Sequence, residues 1–414
     1  MTIPPNVDTI FRNAIDLNQY SNSVARRIIN IYNDIIIDAV NQLQTINEAT
    51  APVKAARLRA ILAQLKESLA TWAGDATEIT ALELQGLAEL QSEFVEEQLK
   101  KVLPRGSRDI VRTVEISPQF AQSVVMTDPT QINVVALSDD LFAAVQGAPQ
   151  TFSLTATQGT AITLPNGQVV NKAFRGLAES QAEMFSQIVR QGLLTGEPTQ
   201  AIARRLVGKL DFGDIGPLSR GQARAAKLSI EQLKKAGGEL TRITTNQVST
   251  LVRTSINQVA NAASQQVYEA NQDVTKKYRY IATLDSRTSA ICRALDGREF
   301  EYGKGPTPPQ HFNCRSTTVA VIDYKGLGIE PPPPGKRASK DGQVPANTSY
   351  GEWLYDKNSK IGRARQAEVL GSKAPYFRKL SEKHGPQAAI AKLVRSDGSE
   401  LTLQDLRERY GKLD

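Results

Sequence analysis

The sequence predicts an α+β protein that is predominantly α-helical, with an elongated N-terminal helical bundle, a small β-rich insertion, and a C-terminal helical part carrying a small mixed α/β module. Three observations predict it. Apolar residues recur every three or four positions over 8–103 and again over 174–270. Between them, 107–170 is low in charge, rich in Gln, Thr and Ser, and broken into short β-prone pieces. Finally, 278–322 gathers strand-like runs, a dense set of turn residues and both cysteines of the chain. A length of 414 residues exceeds one compact core. The expected divisions are 1–106, 107–172, 173–330 and 331–414.

Taken in order, Val24, Ile28, Ile31 and Ile35 form one helical stripe, and Leu58, Leu62, Leu65, Leu69 and Trp72 form a second. Pro52 lies between them, suited to the first turn of a new helix and opposed to continuing the old one. A third stripe, Leu84, Leu87, Leu90 and Phe94, runs toward Leu103, where Pro104 and Gly106 break it. The expected product is an elongated antiparallel hairpin or a three-helix bundle. In the insertion, strands are expected at 110–116, 132–137, 151–157 and 161–170, with Pro165, Asn166 and Gly167 as a hairpin turn.

Helix is expected again from Phe174. Met184, Ile188 and Leu193 lead to a stop at Gly196 and a restart at Pro198, followed by Ile202, Leu206 and Leu210. Gly213, Gly216 and Gly221 separate this from a helix with Leu228 and Leu233. Val248, Leu251, Val252, Ile256, Val259, Ala263 and Val267 then define one face of a helix over 243–270. Strands are expected at 278–283 and 315–322. Four prolines at 331–334 predict a polyproline II spacer. Beyond it, helices are expected near 351–357, 364–370 and 402–410, with a short hairpin over 392–401 turning at Asp397 and Gly398. This tail is expected to be ordered but dependent on docking.

No uncharged run reaches the roughly 18 residues that a membrane span needs. The residues after Met1 lack the basic start and apolar core of a secretory signal, which predicts a protein that works where it is made. In a reducing cytoplasm two cysteines are expected as thiols or ligands. The net charge is +7. Residues 331–414 hold 16 Lys and Arg against 10 Asp and Glu, so nearly all of the excess lies there. Lys336, Arg337, Lys340, Arg363, Arg365, Lys373, Arg378 and Lys379 are the candidate contacts to DNA phosphates, set against the simpler reading of a solvated surface.

Cys292, His311 and Cys314 are the smallest group able to carry chemistry, the last two spaced H-x-x-C. Three readings compete: a structural tether, through zinc or through packing and hydrogen bonds; a Cys292–Cys314 disulfide; and thiol catalysis with His311 as base. One zinc ion would need a fourth ligand, for which Asp285 and Asp296 are the nearest oxygen donors in sequence. Arg253 lies off the centre of its helical stripe and reads, on its own, as a surface salt bridge. No phosphate-binding loop, dinucleotide fingerprint, nucleophile elbow, H-E-x-x-H helix or zinc deaminase signature is present, and the remaining histidine, His384, is far off in sequence. A protein that is not an enzyme is the expectation.

The order Asp285, Arg287, Thr288, Cys292, Leu295, Asp296, Gly297, then Pro308, Pro309, His311, Cys314 and Arg315 resembles the phage Mu protein F family of head morphogenesis proteins. The resemblance extends upstream through Arg253, Thr254, Asn257 and Asn261, and spans about 175–414. Members often carry further cysteines where this chain has Ser289 and Ser316, so a four-ligand sulfur and nitrogen site cannot be built here. The resemblance implies a minor head protein of a tailed phage, present in several copies inside the head near the portal. It implies contacts to portal, capsid or scaffold proteins and proximity to packaged DNA, with two fates open: retention in the virion or release with that DNA. It further implies a rigid knot of Arg253, Asp285, Cys292, Asp296, His311 and Cys314, with Arg287 and Arg315 in module packing. The alternatives are a metal-dependent hydrolase or nuclease-like virion enzyme, and a plain DNA-binding ejection protein.

Overall fold

The computed structural model describes residues 6–48, 51–117, 120, 164–208, 235, 238–333, 335–356 and 360–411. Helices α1 (Val7–Gln44) and α2 (Ala51–Val102) form an antiparallel hairpin around a 3-10 turn, Thr45–Glu48. Asn6, just before α1, donates to the Gln98 carbonyl near the far end of α2 at 3.1 Å. The stripe of Leu84, Leu87 and Phe94 continues α2 and does not open a third helix, since no proline interrupts the chain between Pro52 and Pro104. Residues 7–102 therefore form a two-helix hairpin, the simpler of the two expected forms.

Among the described residues, three more helices join the bundle: α3 (Val170–Leu194), α4 (Thr199–Val207) and α5 (Glu239–Ala270). Gly196 adopts φ 71°, the left-handed conformation that ends α3, and Pro198 caps α4. α5 packs on α1 and α2, while α3 packs on α2. One apolar cluster runs from Val24 through Trp72, Phe174 and Ile202 to Ala263, so helices assigned by sequence to separate domains share one core. Trp72 sits at its centre, 5.3 Å from the Tyr32 ring and 6.0 Å from Phe174, and its indole N–H donates to the Ile28 carbonyl at 3.0 Å. Leu210, Leu228, Leu233 and the glycines between them lie outside the described residues.

Only the margins of the insertion are described, and there the expected strand at 110–116 is absent. A 3-10 turn, Arg105–Ile110, leads into extended backbone whose polar groups pair with side chains. The Val114 N–H donates to Glu96 Oε1 at 2.6 Å and the Arg112 N–H to Asn271 Oδ1 at 2.7 Å, while Asn271 Nδ2 returns a bond to the Arg112 carbonyl at 3.2 Å. Those side chains satisfy the groups a neighbouring strand would otherwise take. At the other margin, Gly167 (φ 78°) closes the expected turn by donating to the Leu164 carbonyl, but Val170 already begins α3. The expected strands at 132–137 and 151–157 lie outside the described residues.

After α5 the chain builds a three-stranded antiparallel sheet in the order β2-β1-β3, from β1 (Thr275–Ile281), β2 (Glu299–Glu301) and β3 (Thr317–Ile322). Tyr278 faces Phe300 on one side and Ala320 on the other. All six β3 residues are buried, as a strand covered on both faces should be. The short helix α6 (Ala290–Leu295) lies between β1 and β2.

The C-terminal region is more folded than a spacer and tail. β4 (Lys336–Ser339) and β5 (Gly342–Pro345) form a hairpin directly after the prolines, of which 331–333 lie outside helix and strand. Five helices follow: α7 (Tyr350–Leu354), α8 (Lys360–Leu370), α9 (Ala374–His384), α10 (Pro386–Lys392) and α11 (Leu403–Tyr410). Trp353, Phe377, Ile390, Leu401 and Leu406 share a core with Leu284, contributed by the chain just after β1. α7 crosses α10 so closely that a Cβ on Gly351 would lie 2.4 Å from the Pro386 carbonyl carbon. The expected turn near Gly398 is present, with φ 83° and a Val394–Glu400 bridge. No helix among the described residues is long and apolar enough to cross a membrane.

Candidate functional site

Both cysteines are brought together by short local devices. The Ser289 hydroxyl accepts the Cys292 N–H at 3.5 Å, capping α6 and fixing Cys292 in its first turn. Gly297 (φ 78°) reverses the chain after α6, its N–H donating to the Tyr280 carbonyl at 2.9 Å, so α6 is held against β1. On the other side, His311 and Cys314 flank Asn313, which is left-handed at φ 59°. Asn tolerates that conformation better than most residues. Helix α5 locks it: the Asn313 N–H donates to Thr254 Oγ1 at 3.0 Å, Nδ2 to Thr250 Oγ1 at 3.0 Å, and Arg253 donates to Oδ1 at 2.9 Å.

The result is a compact group of soft donors. Cys292 Sγ lies 3.3 Å from His311 Nε2 and 3.7 Å from Cys314 Sγ, and the three ligand atoms all lie within 4.8 Å of one another. His311 Nδ1 sits 2.8 Å from the Phe312 carbonyl, a contact that assigns its proton to Nδ1 and turns the Nε2 lone pair toward the sulfurs. The Tyr280 hydroxyl approaches Cys292 Sγ at 3.2 Å. Hydrogen bonding from Cys292 holds the Cys314 thiol well below its usual range, with His311 and the Ser316 N–H adding to the effect. The same bond, reinforced by burial, pushes Cys292 upward. His311 is raised, first by its hydrogen bond to Cys314 and against the effect of burial. The two sulfurs are not bonded to each other, and each cysteine is 1 % exposed.

Residues 183–319 match the family described as Phage Mu protein F like protein. Over those residues, about a third of the chain, the protein is similar to that family, and the stretch is called the Mu F-like module below. The match begins within α3 and ends within β3, so it covers less of the chain than the 175–414 expected, and the C-terminal helices lie beyond it. No curated protein and no solved structure matches the chain.

Within the Mu F-like module the expected acidic residues stand apart from the cysteines. Asp285 accepts Arg315 Nη1 at 2.5 Å and Nη2 at 2.8 Å, the Thr288 hydroxyl at 3.1 Å and the Arg287 N–H at 3.0 Å. Burial alone would raise this carboxyl, but the Arg315 guanidinium and the other donors outweigh it and hold it below its usual range. The Arg287 side chain is 80 % exposed and reaches Asp285 only at 4.0 Å. Asp296 is fully buried and faces Arg337, itself 2 % exposed, through bonds of 3.1 and 3.2 Å; it also accepts the Ala282 and Tyr350 N–H groups, each at 2.7 Å. Arg337 Nη1 donates to the Thr348 carbonyl at 2.9 Å, and Nη2 donates to the Ala282 carbonyl. Neither carboxylate joins the metal-capable group, so the expectation of Asp285 or Asp296 as a fourth ligand is corrected: arginines already saturate them. Arg253 likewise pairs with neither. It bonds Asn313 and, at 2.9 Å, Asn22 of α1, because its place on α5 faces the histidine loop.

The candidate DNA contacts divide. Arg337 is a buried anchor and is withdrawn from that set. Arg365 lies 2.6 Å from Asp341 and stacks 4.9 Å from the Trp353 ring, Lys373 pairs with Glu400 at 2.8 Å, Lys340 pairs with Glu368 at 2.8 Å, and Arg378 donates to Gln366 at 3.1 Å. Lys336, Arg363 and Lys379 are exposed. Sequence reasoning passed over Tyr280, Asn313 and Tyr350. Asn313 carried a signal, an Asn inside the H-x-x-C turn, whereas Tyr350 is separated in sequence from everything it anchors.

Proposed function

We propose that this protein is a minor head protein of a tailed phage, built into the head near the portal in several copies, and that it acts by surface contact without catalysis. The match of 183–319 to the Mu F-like family carries this reading. Support comes from the module's polar groups, which are spent inside the fold: the two acidic residues face arginines, and both sulfurs are buried. A cavity beside Cys314, lined by Asn18, Asn257 and Asn261, holds about 20 Å³, room for one water and no substrate. The long α1–α2 hairpin supplies the extended side on which portal, scaffold or capsid subunits would rest, and the exposed cations of the C-terminal region would face packaged DNA.

The test is the composition of assembled heads. Heads purified from cells producing the phage should contain the protein, and heads assembled without portal should lose it. Equal absence from both kinds of head overturns the proposal, and equal presence removes the portal as the partner.

A further inference from the structure

We propose that Cys292, His311 and Cys314 bind one zinc ion, with the fourth position taken by a solvent oxygen, and that this ion staples α6 to the loop over 303–316. The spacing is the first argument. A tetrahedral ion with Zn–S near 2.3 Å and Zn–N near 2.0 Å sets its two sulfurs about 3.8 Å apart and each sulfur about 3.5 Å from the nitrogen. The protein presents 3.7 Å between sulfurs and 3.3 Å from Cys292 Sγ to His311 Nε2 before any ion is considered.

Ligand preparation is the second argument. The Phe312 carbonyl fixes the His311 tautomer with Nε2 free toward the sulfurs, the outer-sphere arrangement that metal-binding histidines use. The Tyr280 hydroxyl lies 3.2 Å from Cys292 Sγ, within reach to donate to a metal-bound sulfur. Binding would exchange the thiol protons for the metal, leaving a dication with two thiolates and a neutral imidazole. That neutral sum suits a site with both sulfurs buried. Soft sulfur and imidazole donors also select zinc over calcium or magnesium. The third argument is mechanical. His311 and Cys314 stand on a stretch without helix or strand, held from below by Asn313, and a metal would hold it from above.

The experiment uses the full chain purified without chelator, with zinc content, thiol titration and cobalt substitution measured together. About one zinc per chain is expected, with both thiols unreactive until a chelator is added. Cobalt should show sulfur-to-metal charge transfer and the intense visible bands of a four-coordinate site. Cys314→Ser should weaken binding at least tenfold, and His311→Cys should retain the metal while strengthening the charge-transfer band. Two freely titrating thiols without metal overturn the proposal, and so does a disulfide that leaves no thiols. Should the variants fail to fold, the wild-type cobalt spectrum decides alone, since lack of charge transfer excludes thiolate ligation. Either result is independent of the head-assembly reading, which makes no use of the metal.

Discussion

Trp72 and Arg337 are among the largest fully buried side chains of the protein, yet they are held in opposite ways. Trp72 lies in the helical bundle among Tyr32, Phe174 and aliphatic residues and makes one hydrogen bond. Arg337 ties the C-terminal hairpin to the Mu F-like module through Asp296 and two carbonyls, with the Tyr350 N–H completing the carboxylate. Apolar packing is graded, since each methylene removed subtracts a similar increment. A buried charge network is closer to all or none, because deleting one member leaves the others uncompensated. The bundle should therefore tolerate gradual change, and the junction between the module and its C-terminal helices should not.

The largest effect follows directly. Asp296→Ala leaves Arg337 buried without its counterion and should cost about 3–5 kcal/mol in urea denaturation. Asp296→Asn should approach that cost, whereas Trp72→Phe should cost clearly less than Trp72→Ala, itself about 3–5 kcal/mol. The double variant Asp296→Leu with Arg337→Met should recover part of the loss; full recovery is blocked by the Ala282 and Tyr350 N–H groups it orphans. A graded response at Asp296, parallel to the one at Trp72, would break the comparison. Next comes Asn313. Asn313→Ala removes two side-chain hydrogen bonds and puts a residue less tolerant than Asn into the left-handed region, roughly 2–4 kcal/mol in all. Asn313→Gly keeps the backbone free and should be milder by about 1 kcal/mol, and equal losses would show that backbone strain is not involved.

The second carboxylate sharpens the contrast between a sealed pair and a half-buried one. Asp285 is held below its usual range in the folded protein, so its contribution is present above its unfolded value of about 3.9 and fades as pH falls through the lower folded value. Asp285→Asn should cost roughly 1.5–3 kcal/mol near neutral pH, the range for hydrogen bonds to charged groups. Thermal melts of wild type and variant should converge as the pH drops below about 4 and the wild-type carboxylate is protonated. A gap that persists at low pH would assign the effect to packing.

Much of this was legible in the sequence, and the division is physical. Helices with an apolar period announce themselves, so the α5 face, the stop at Gly196 and the capped α11 matched expectation. The H-x-x-C spacing put His311 and Cys314 on one turn, where the Cys314 N–H donates to the His311 carbonyl at 3.2 Å, whereas the sulfur 3.3 Å from His311 Nε2 belongs to Cys292. Pairing across long separations was not legible. Arg337 and Asp296 are 41 positions apart and Arg253 and Asn22 are 231 apart, and no local pattern tells a buried arginine from a surface one. The 110–116 stretch has strand-like composition, but strands need partners, and here Glu96 and Asn271 supplied the hydrogen bonds first. One signal was present and unread: Asp341–Gly342 between alternating residues, the mark of the β4–β5 hairpin.

The smallest effect concerns the cations that do not lock the fold. Lys336, Arg363 and Lys379 are exposed, whereas Arg365 and Lys373 are partly covered and paired. Replacing the exposed three with Gln should leave the melting temperature unchanged, because surface charges away from caps and networks usually contribute little. Affinity for nonspecific duplex DNA should fall, and the slope of log K against log salt should decrease by about 0.9 for each phosphate that the variant no longer neutralises. The same neutralisation at Arg365 should instead lower the melting temperature, through its stacking on Trp353 and its pairing with Asp341. DNA binding that is unmoved by the triple change and has no salt slope would make the positive charge of this region a solvated face. The C-terminal helices would then serve the module only as a structural brace.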